Sequence, residues 1–271
     1  MSQTPPVALV IAGSDSGGGA GVQADVRTLA AHGVFPTTAL TALTAQNTAG
    51  VESVFVVPAE VVAAQVDAVL GDFTVRATKT GMLATAGIVE VLAARAATGA
   101  LPSLVVDPVM VASSGDRLLE PEAERAYVER LFPHAAVITP NLREAAVLVG
   151  APLATEDDMV HAARELAGTG AAAVLVKGGH LSGEESVDVL WDGKRLHRFV
   201  SPRVPTANVH GTGCSLASAI AAGLCRGDEL PTAVEAAKRY VHRGLVAAAG
   251  WTLGRGHGPI DHFAGTRLPG R

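Results

Sequence analysis

The sequence predicts a three-layer α/β/α fold in which helices cover both faces of a central, mostly parallel sheet. Short runs that are apolar throughout alternate with longer amphipathic stretches, the pattern of parallel strands buried on both sides and joined by helices. Clusters of Gly, Pro, Ser and Asp follow most of the apolar runs and place turns at the strand ends. No composition break, linker or internal repeat divides the chain, so residues 1–271 are expected to form a single domain.

The first apolar run, VALVIAG at 7–13, precedes a glycine-rich turn and a helix near 20–32. TTALTAL (37–43) is followed by a helix near 58–70 that opens with Pro58, whose fixed φ suits the first helical position. RATKTGM (76–82) leads into a helix near 86–98, and SLVVDPV (103–109) into one near 121–131 marked by Pro121. AAVITPN (135–141) precedes helices near 142–149 and 156–168, the second announced by Thr155 three residues before Asp158, a partial capping box. AAVLVKGG (172–179) and SVDVLWD (186–192) complete the strands, and helices near 213–225 and 231–249 follow. In open parallel sheets a ligand lies beyond the carboxyl ends of the strands, so the turn clusters should converge on one crevice.

A net charge of −5 gives no global basic field for nucleic acid or an anionic membrane, and any anion must be held by local geometry. Cys214 and Cys225 lie on one expected helix, roughly 16 Å apart along its axis, too far for a disulfide. The N-terminus lacks a basic signal region and no apolar run reaches the roughly 18 residues of a membrane span. A cytoplasmic, reduced protein is expected.

The stretch SGGGAGVQAD contains G-x-G-x-x-A at Gly19, Gly21 and Ala24, a weak dinucleotide fingerprint. The acidic residue that fingerprint needs about 20 residues on is missing, since Gln46 and Asn47 stand there. No P-loop motif occurs. The alternative phosphate cradle is Gly211, Thr212, Gly213 and Cys214 at a helix start, where glycine amides, a hydroxyl and the helix dipole can hold an anion. Asn141 and Glu144 share a face one helical turn apart and suit magnesium with water and phosphate as its other ligands; the plain alternative is an N-cap with a dipole-complementing glutamate. Asp107 ends an apolar run, with buried helix capping as its alternative role. Lys177 ends another and is placed to counter phosphate charge, unless it is a snorkelling surface lysine. His180 and His210 sit in glycine loops that could line a nucleotide site, and no histidine spacing suits zinc.

Eight ordered stretches, AGSDSGGGAGVQAD, TALTAQNTAGV, KTGML, DPVM, TPNLREA, VLVKGGHL, VHGTGCSLASA and GRGHGP, resemble those of the hydroxymethylpyrimidine/phosphomethylpyrimidine kinases of thiamine biosynthesis, which have a ribokinase-like fold. The resemblance implies a homodimeric enzyme that uses ATP and Mg2+ to phosphorylate 4-amino-5-hydroxymethyl-2-methylpyrimidine to its monophosphate and then to the diphosphate. It implies pyrimidine contacts from Gly13, Asp25, Gln46, Met82 and Val109. Asp107, Asn141, Glu144 and Lys177 would form the magnesium and phosphate shell, and Gly211 to Cys214 the anion hole. Pyridoxal kinases share GTGC and are the alternative on the same fold; a non-catalytic pyrimidine-binding domain is a second. Because a helix N-terminus lowers a thiol pKa, Cys214 is expected to act as a base toward the alcohol in the first step and to stay protonated and neutral beside the anionic phosphate of the second, with a small packing residue at the helix start as the plain alternative.

Overall fold

The computed structural model describes residues 4–110, 121–179 and 181–265. Nine strands form one sheet in the order β3-β2-β1-β4-β5-β6-β7-β8-β9. They are β1 (Val7–Asp15), β2 (Phe35–Asn47), β3 (Gly50–Val56), β4 (Val75–Thr80), β5 (Val105–Val106), β6 (Val137–Ile138), β7 (Val174–Lys177), β8 (Glu185–Trp191) and β9 (Leu196–Pro202). The helices are α1 (Gly21–Ala31), α2 (Ala59–Asp72), α3 (Ala86–Ala97), α4 (Pro121–Ala126), α5 (Leu142–Val149), α6 (Glu156–Ala167), α7 (Thr212–Arg226) and α8 (Leu230–Ala248). A π-helical turn, Tyr127–Leu131, continues α4. The expected capping box of α6 is present, with Thr155 Oγ1 accepting from the Asp158 amide and Asp158 accepting from the Thr155 amide.

The sheet is parallel from β2 through β7 and antiparallel at its margins, where β3 pairs with β2, and β8 and β9 turn back beside β7. Two strands were not expected from the sequence, and both are edges. β9 alternates exposed with half-buried residues and β3 is exposed along most of its length, so neither shows the continuous apolar run of a strand covered on both faces. In the centre that covering is direct. Val105 belongs to a buried cluster with Ile220 of α7 and Val234 of α8, while its neighbour Val106 belongs to another with Ile88 and Leu92 of α3. Leu175 and Val176 of β7 split the same way. Among the described residues no helix is long and apolar enough to cross a membrane.

The C-terminal segment packs onto the layer of α1, α7 and α8. Tyr240 OH donates to the His262 carbonyl at 2.8 Å, and the His262 ring Nε2 lies 3.1 Å from the Ser215 hydroxyl on the first turns of α7. Burial, assisted by the charge of Arg27, lowers His262 from 6.5 to about 4. A histidine held neutral stabilises the fold fully above its unfolded pKa, and that contribution is lost as pH falls from 6.5 toward 4. Between pH 7 and 5 this group should therefore cost about 2 kcal/mol of unfolding free energy. Urea titrations at the two pH values check it: His262→Gln should show a correspondingly smaller drop than the unmodified protein, and equal drops would refute the assignment.

Candidate active site

The carboxyl ends of β1, β4, β5 and β7 and the N-terminus of α7 surround a cleft of about 540 Å³. Gly13, Gln46, Met82 and Val109 line one end of it, Asp107, Lys177, Glu144 and Gly213 its middle, and Ser186, Arg203 and His242 the other end. The turn clusters do converge, as the topology requires.

Asp107 follows β5 and Lys177 ends β7. Lys177 Nζ donates to Asp107 Oδ1 at 2.7 Å, and Thr139 Oγ1 donates to the same oxygen at 3.1 Å. Asp107 is therefore an ion-pair partner, and Lys177 is no surface lysine, since its side chain is 12% exposed. Although burial opposes charge on both, Lys177 and Lys79 hold Asp107 below the usual carboxylate range, and Asp107 with Glu144 holds Lys177 above the ordinary lysine value. Asn141 and Glu144 form a full capping box on α5: Asn141 Oδ1 accepts from the Arg143 and Glu144 amides at 2.9 and 3.0 Å, and Glu144 Oε2 accepts from the Asn141 amide at 2.8 Å. The plain reading of this pair is thus what the backbone shows, although both residues also line the cleft. Both acceptor positions of the Asn141 oxygen are occupied, which leaves Asp107 and Glu144 as the oxygen donors for a cation. Burial, reinforced by Asp107 and opposed by Lys177, pushes Glu144 up to about 7.

A second ion pair lies beneath the first. Lys79 Nζ, on β4, donates to both Asp25 oxygens at 3.0 and 2.9 Å, and Ser218 of α7 donates to Asp25 at 2.7 Å. Asp25 is fully buried and does not line the cleft, so the expected direct contact with a pyrimidine is corrected: its carboxylate anchors Lys79, which does line it. Burial opposes the Lys79 charge, but Asp25 outweighs it and holds the ammonium well above the ordinary lysine value.

Gly211 precedes α7 in the left-handed region at φ 78°, and a Cβ there would come within 1.9 Å of the Gly19 carbonyl. No side chain caps this helix, and with the Thr212 amide given to the Val209 carbonyl, the Gly213 and Cys214 amides remain without a capping side chain at the cleft. A Cβ on Gly213 would stand 3.3 Å from Lys177 Nζ and 3.9 Å from Asp107 Oδ2, so the space between helix start and ion pair is open only because this residue is glycine. Cys214 corrects an expectation. Burial raises its thiol to about 11, with Asp25 and Asp107 adding to the rise, against the opposing charge of Lys79 and a hydrogen bond from the Gly21 amide. Desolvation and two carboxylates outweigh the helix terminus, and the thiol is protonated at neutral pH.

His210 lines the cleft, but its ring Nε2 turns to Asp15 at 2.8 Å. His180 lies outside the described residues. Sequence reasoning missed Lys79, Asp15, and the buried Lys238–Asp188 pair at the far end, 2.8 Å apart. The signal for Asp188 was available, since it is a charged residue set among the apolar residues of SVDVLW, a placement that requires a buried partner; β4, VRATKT, is too polar to single out Lys79 in this way.

The phosphomethylpyrimidine kinase family matches residues 15–261. The chain is 50% identical over 258 residues to the hydroxymethylpyrimidine/phosphomethylpyrimidine kinase of Rhizobium meliloti (strain 1021), a match that covers 95% of this chain and 97% of that one. Pyridoxal kinase of Bacillus subtilis, solved as an ADP complex, is similar with a TM-score of 0.88 and 38% identity, covering 96% of this chain and 98% of that one. Pyridoxal kinase from Staphylococcus aureus in complex with AMP-PCP and pyridoxal gives a TM-score of 0.89 at 33% identity, covering 98% and 96%.

The protonated thiol has a direct test. In a Cys225→Ser background, iodoacetamide labelling of Cys214 followed by mass spectrometry should accelerate about tenfold per pH unit from pH 6 to 9 without levelling, because only the thiolate reacts. A plateau near pH 7 would mean that Cys214 ionises after all.

Proposed function

The chain belongs to the phosphomethylpyrimidine kinase family, and from that premise we propose how its cleft moves the γ-phosphoryl group of ATP to 4-amino-5-hydroxymethyl-2-methylpyrimidine and then to the monophosphate, in thiamine biosynthesis. The observation that carries the reading is the meeting of Lys177, Asp107 and the uncapped start of α7 around the side-chain-free Gly213. Phosphoryl transfer proceeds through a loose transition state whose charge is spread over oxygens, so an ammonium and preorganised amides at one point are what the reaction demands.

The pyrimidine sits at the end lined by Gly13, Gln46, Met82 and Val109. The Gln46 amide can donate to and accept from an aminopyrimidine edge, and Met82 supplies an adaptable apolar wall. ATP occupies the opposite end; that the structural neighbours were solved with ADP or AMP-PCP supports the use of a nucleotide. Asp107 and Glu144 offer hard oxygen donors that fit Mg2+. Among the described residues no group of three or more His, Cys, Asp or Glu side chains is placed to hold a metal, so the ion would rest on these carboxylates together with phosphate oxygens and water. When bound, Mg2+ neutralises charge on the transferring phosphates.

Cys214 serves as a neutral neighbour of the acceptor. In a loose transition state the alcohol keeps its proton until late, so a pre-ionised base is not required. The second acceptor is an anionic phosphate oxygen, which a protonated thiol does not repel and a fixed carboxylate would. The enzyme works as one ribokinase-like unit and as a cytoplasmic homodimer. The exposed apolar strip of Leu43, Val54, Phe55 and Val56 on β2 and β3 supports self-association, and two free cysteines agree with a reducing compartment.

Measuring ADP release with the hydroxymethylpyrimidine, its monophosphate, pyridoxal and pyridoxine as acceptors tests the reading. The two pyrimidines should turn over fastest; preference for pyridoxal would favour the activity of the structural neighbours, and no turnover with any acceptor would favour a binding domain. Gln46→Leu should weaken pyrimidine binding by about 1–3 kcal/mol in calorimetry and leave ATP binding unchanged. Loss of ATP binding with intact pyrimidine binding would reverse the two ends of the cleft. Gly213→Val fills the space beside Lys177 and should lower kcat at least about 100-fold, with a much smaller effect on acceptor affinity; near-normal turnover would remove Gly213 from the transfer point.

A further inference from the structure

The loop after β1 and the loop before α7 are far apart in sequence and interlock in space. Asp15, 3% exposed at the end of β1, accepts from the Gly17, Gly19 and Ala20 amides at 2.8, 3.1 and 2.8 Å. Its Oδ2 also lies 2.8 Å from His210 Nε2. Burial opposes ionisation of Asp15, yet these donors together hold it below the ordinary carboxylate range, so the carboxylate accepts and the His210 ring donates. On its other side His210 is fixed by its backbone: its amide donates to the Gly258 carbonyl at 3.0 Å, and the Thr212 amide donates to the Val209 carbonyl at 3.2 Å. The contact has no slack. A Cβ on Gly19 would lie 2.5 Å from His210 Cδ2, and the Gly19 carbonyl already fills the place of a Gly211 Cβ.

This arrangement joins two functions. β1 carries Gly13, on the acceptor wall, two residues before Asp15. His210 immediately precedes Gly211, whose left-handed backbone starts α7 beside Lys177, a Cβ on Gly213 lying 3.3 Å from its Nζ. We propose that the Asp15–His210 pair is a clamp that holds the acceptor wall in register with the anion loop, making His210 a positioning residue for phosphoryl transfer and not a ligand of the nucleotide. The proposal rests on the kinase reading above. Its physical basis is that in-line transfer depends on the distance and angle between acceptor oxygen and phosphoryl group, and a misplacement of about 1 Å can cost on the order of 100-fold. The clamp fixes the two walls that set this distance, while the ATP end is built from other elements.

The test compares His210→Leu, His210→Gln, His210→Asn, Asp15→Asn and the double variant Asp15→Asn/His210→Leu, with circular dichroism as a check of folding. Activities are expressed relative to the unmodified protein with whichever acceptor it phosphorylates, so a wrong acceptor assignment shows as a failure of the unmodified protein with pyrimidine and leaves the ratios intact. His210→Leu should lower kcat about 10- to 100-fold while the Kd for ATP, read by calorimetry, stays within about threefold. His210→Gln, whose amide can reach Asp15 from the same backbone, should retain kcat within about fivefold, and the shorter His210→Asn should resemble leucine. The double variant should lose no more than the worse single one, because the two side chains act as a unit. A tenfold loss of ATP affinity with kcat preserved would make His210 a nucleotide ligand. Equal losses for glutamine, asparagine and leucine, or losses that multiply in the double variant, would overturn the clamp. If His210→Leu does not fold, the contrast between glutamine and asparagine decides the matter alone.

Discussion

The cleft depends on one electrostatic constraint: two ammonium groups, Lys79 and Lys177, are held in the protein interior and each must face its own carboxylate. Burying a charge without a partner costs several kcal/mol, and the loss of either partner leaves the other uncompensated. Asp25 meets Lys79 through two contacts and is itself secured by Ser218, while Asp107 meets Lys177 and is secured by Thr139. Each pair spans separate elements, α1 to β4 with α7 behind it, and β5 to β7 with the segment after β6 between them. The ion pairs thereby fix the spacing of the central strands and of the helix whose N-terminus points at them. They also decide the state of Cys214, since Asp25 and Asp107 reinforce burial in keeping the thiol protonated.

The centre of this fold was legible because it is uniform. Strands β1 and β7 are largely apolar runs, the helices have their expected places, and the Thr155 and Asn141 caps stand where residue type puts them. The edges were not, because a strand with one open face or one open side carries no distinctive run. At the site, Gly13, Gln46, Met82, Val109, Asp107, Glu144, Lys177 and the anion loop all reach the cleft. Asp25 was misplaced for a physical reason: a motif marks a residue as required without showing whether it faces a ligand or supports another side chain. Asp25 lies under the surface that Lys79 presents. Cys214 shows the same limit for protonation, since position on a helix predicts one direction of shift and burial among carboxylates imposes the opposite one.

The shortness of β5 and β6 has a consequence for the chemistry. Each contributes only two residues to the ladder, Val105–Val106 and Val137–Ile138, between longer neighbours on either side. The chain leaves the sheet at once: β4 ends level with β5, Thr80 opposite Val106, while β7 runs on past Ile138 to Lys177, so Asp107 and Thr139 meet Lys177 at a step in the sheet. Asp107 and Glu144 are each 2% exposed there. Charges set so deep are little screened by water, so the Lys177 ammonium, itself only 12% exposed, acts on whatever occupies the cleft with more force than a surface lysine would.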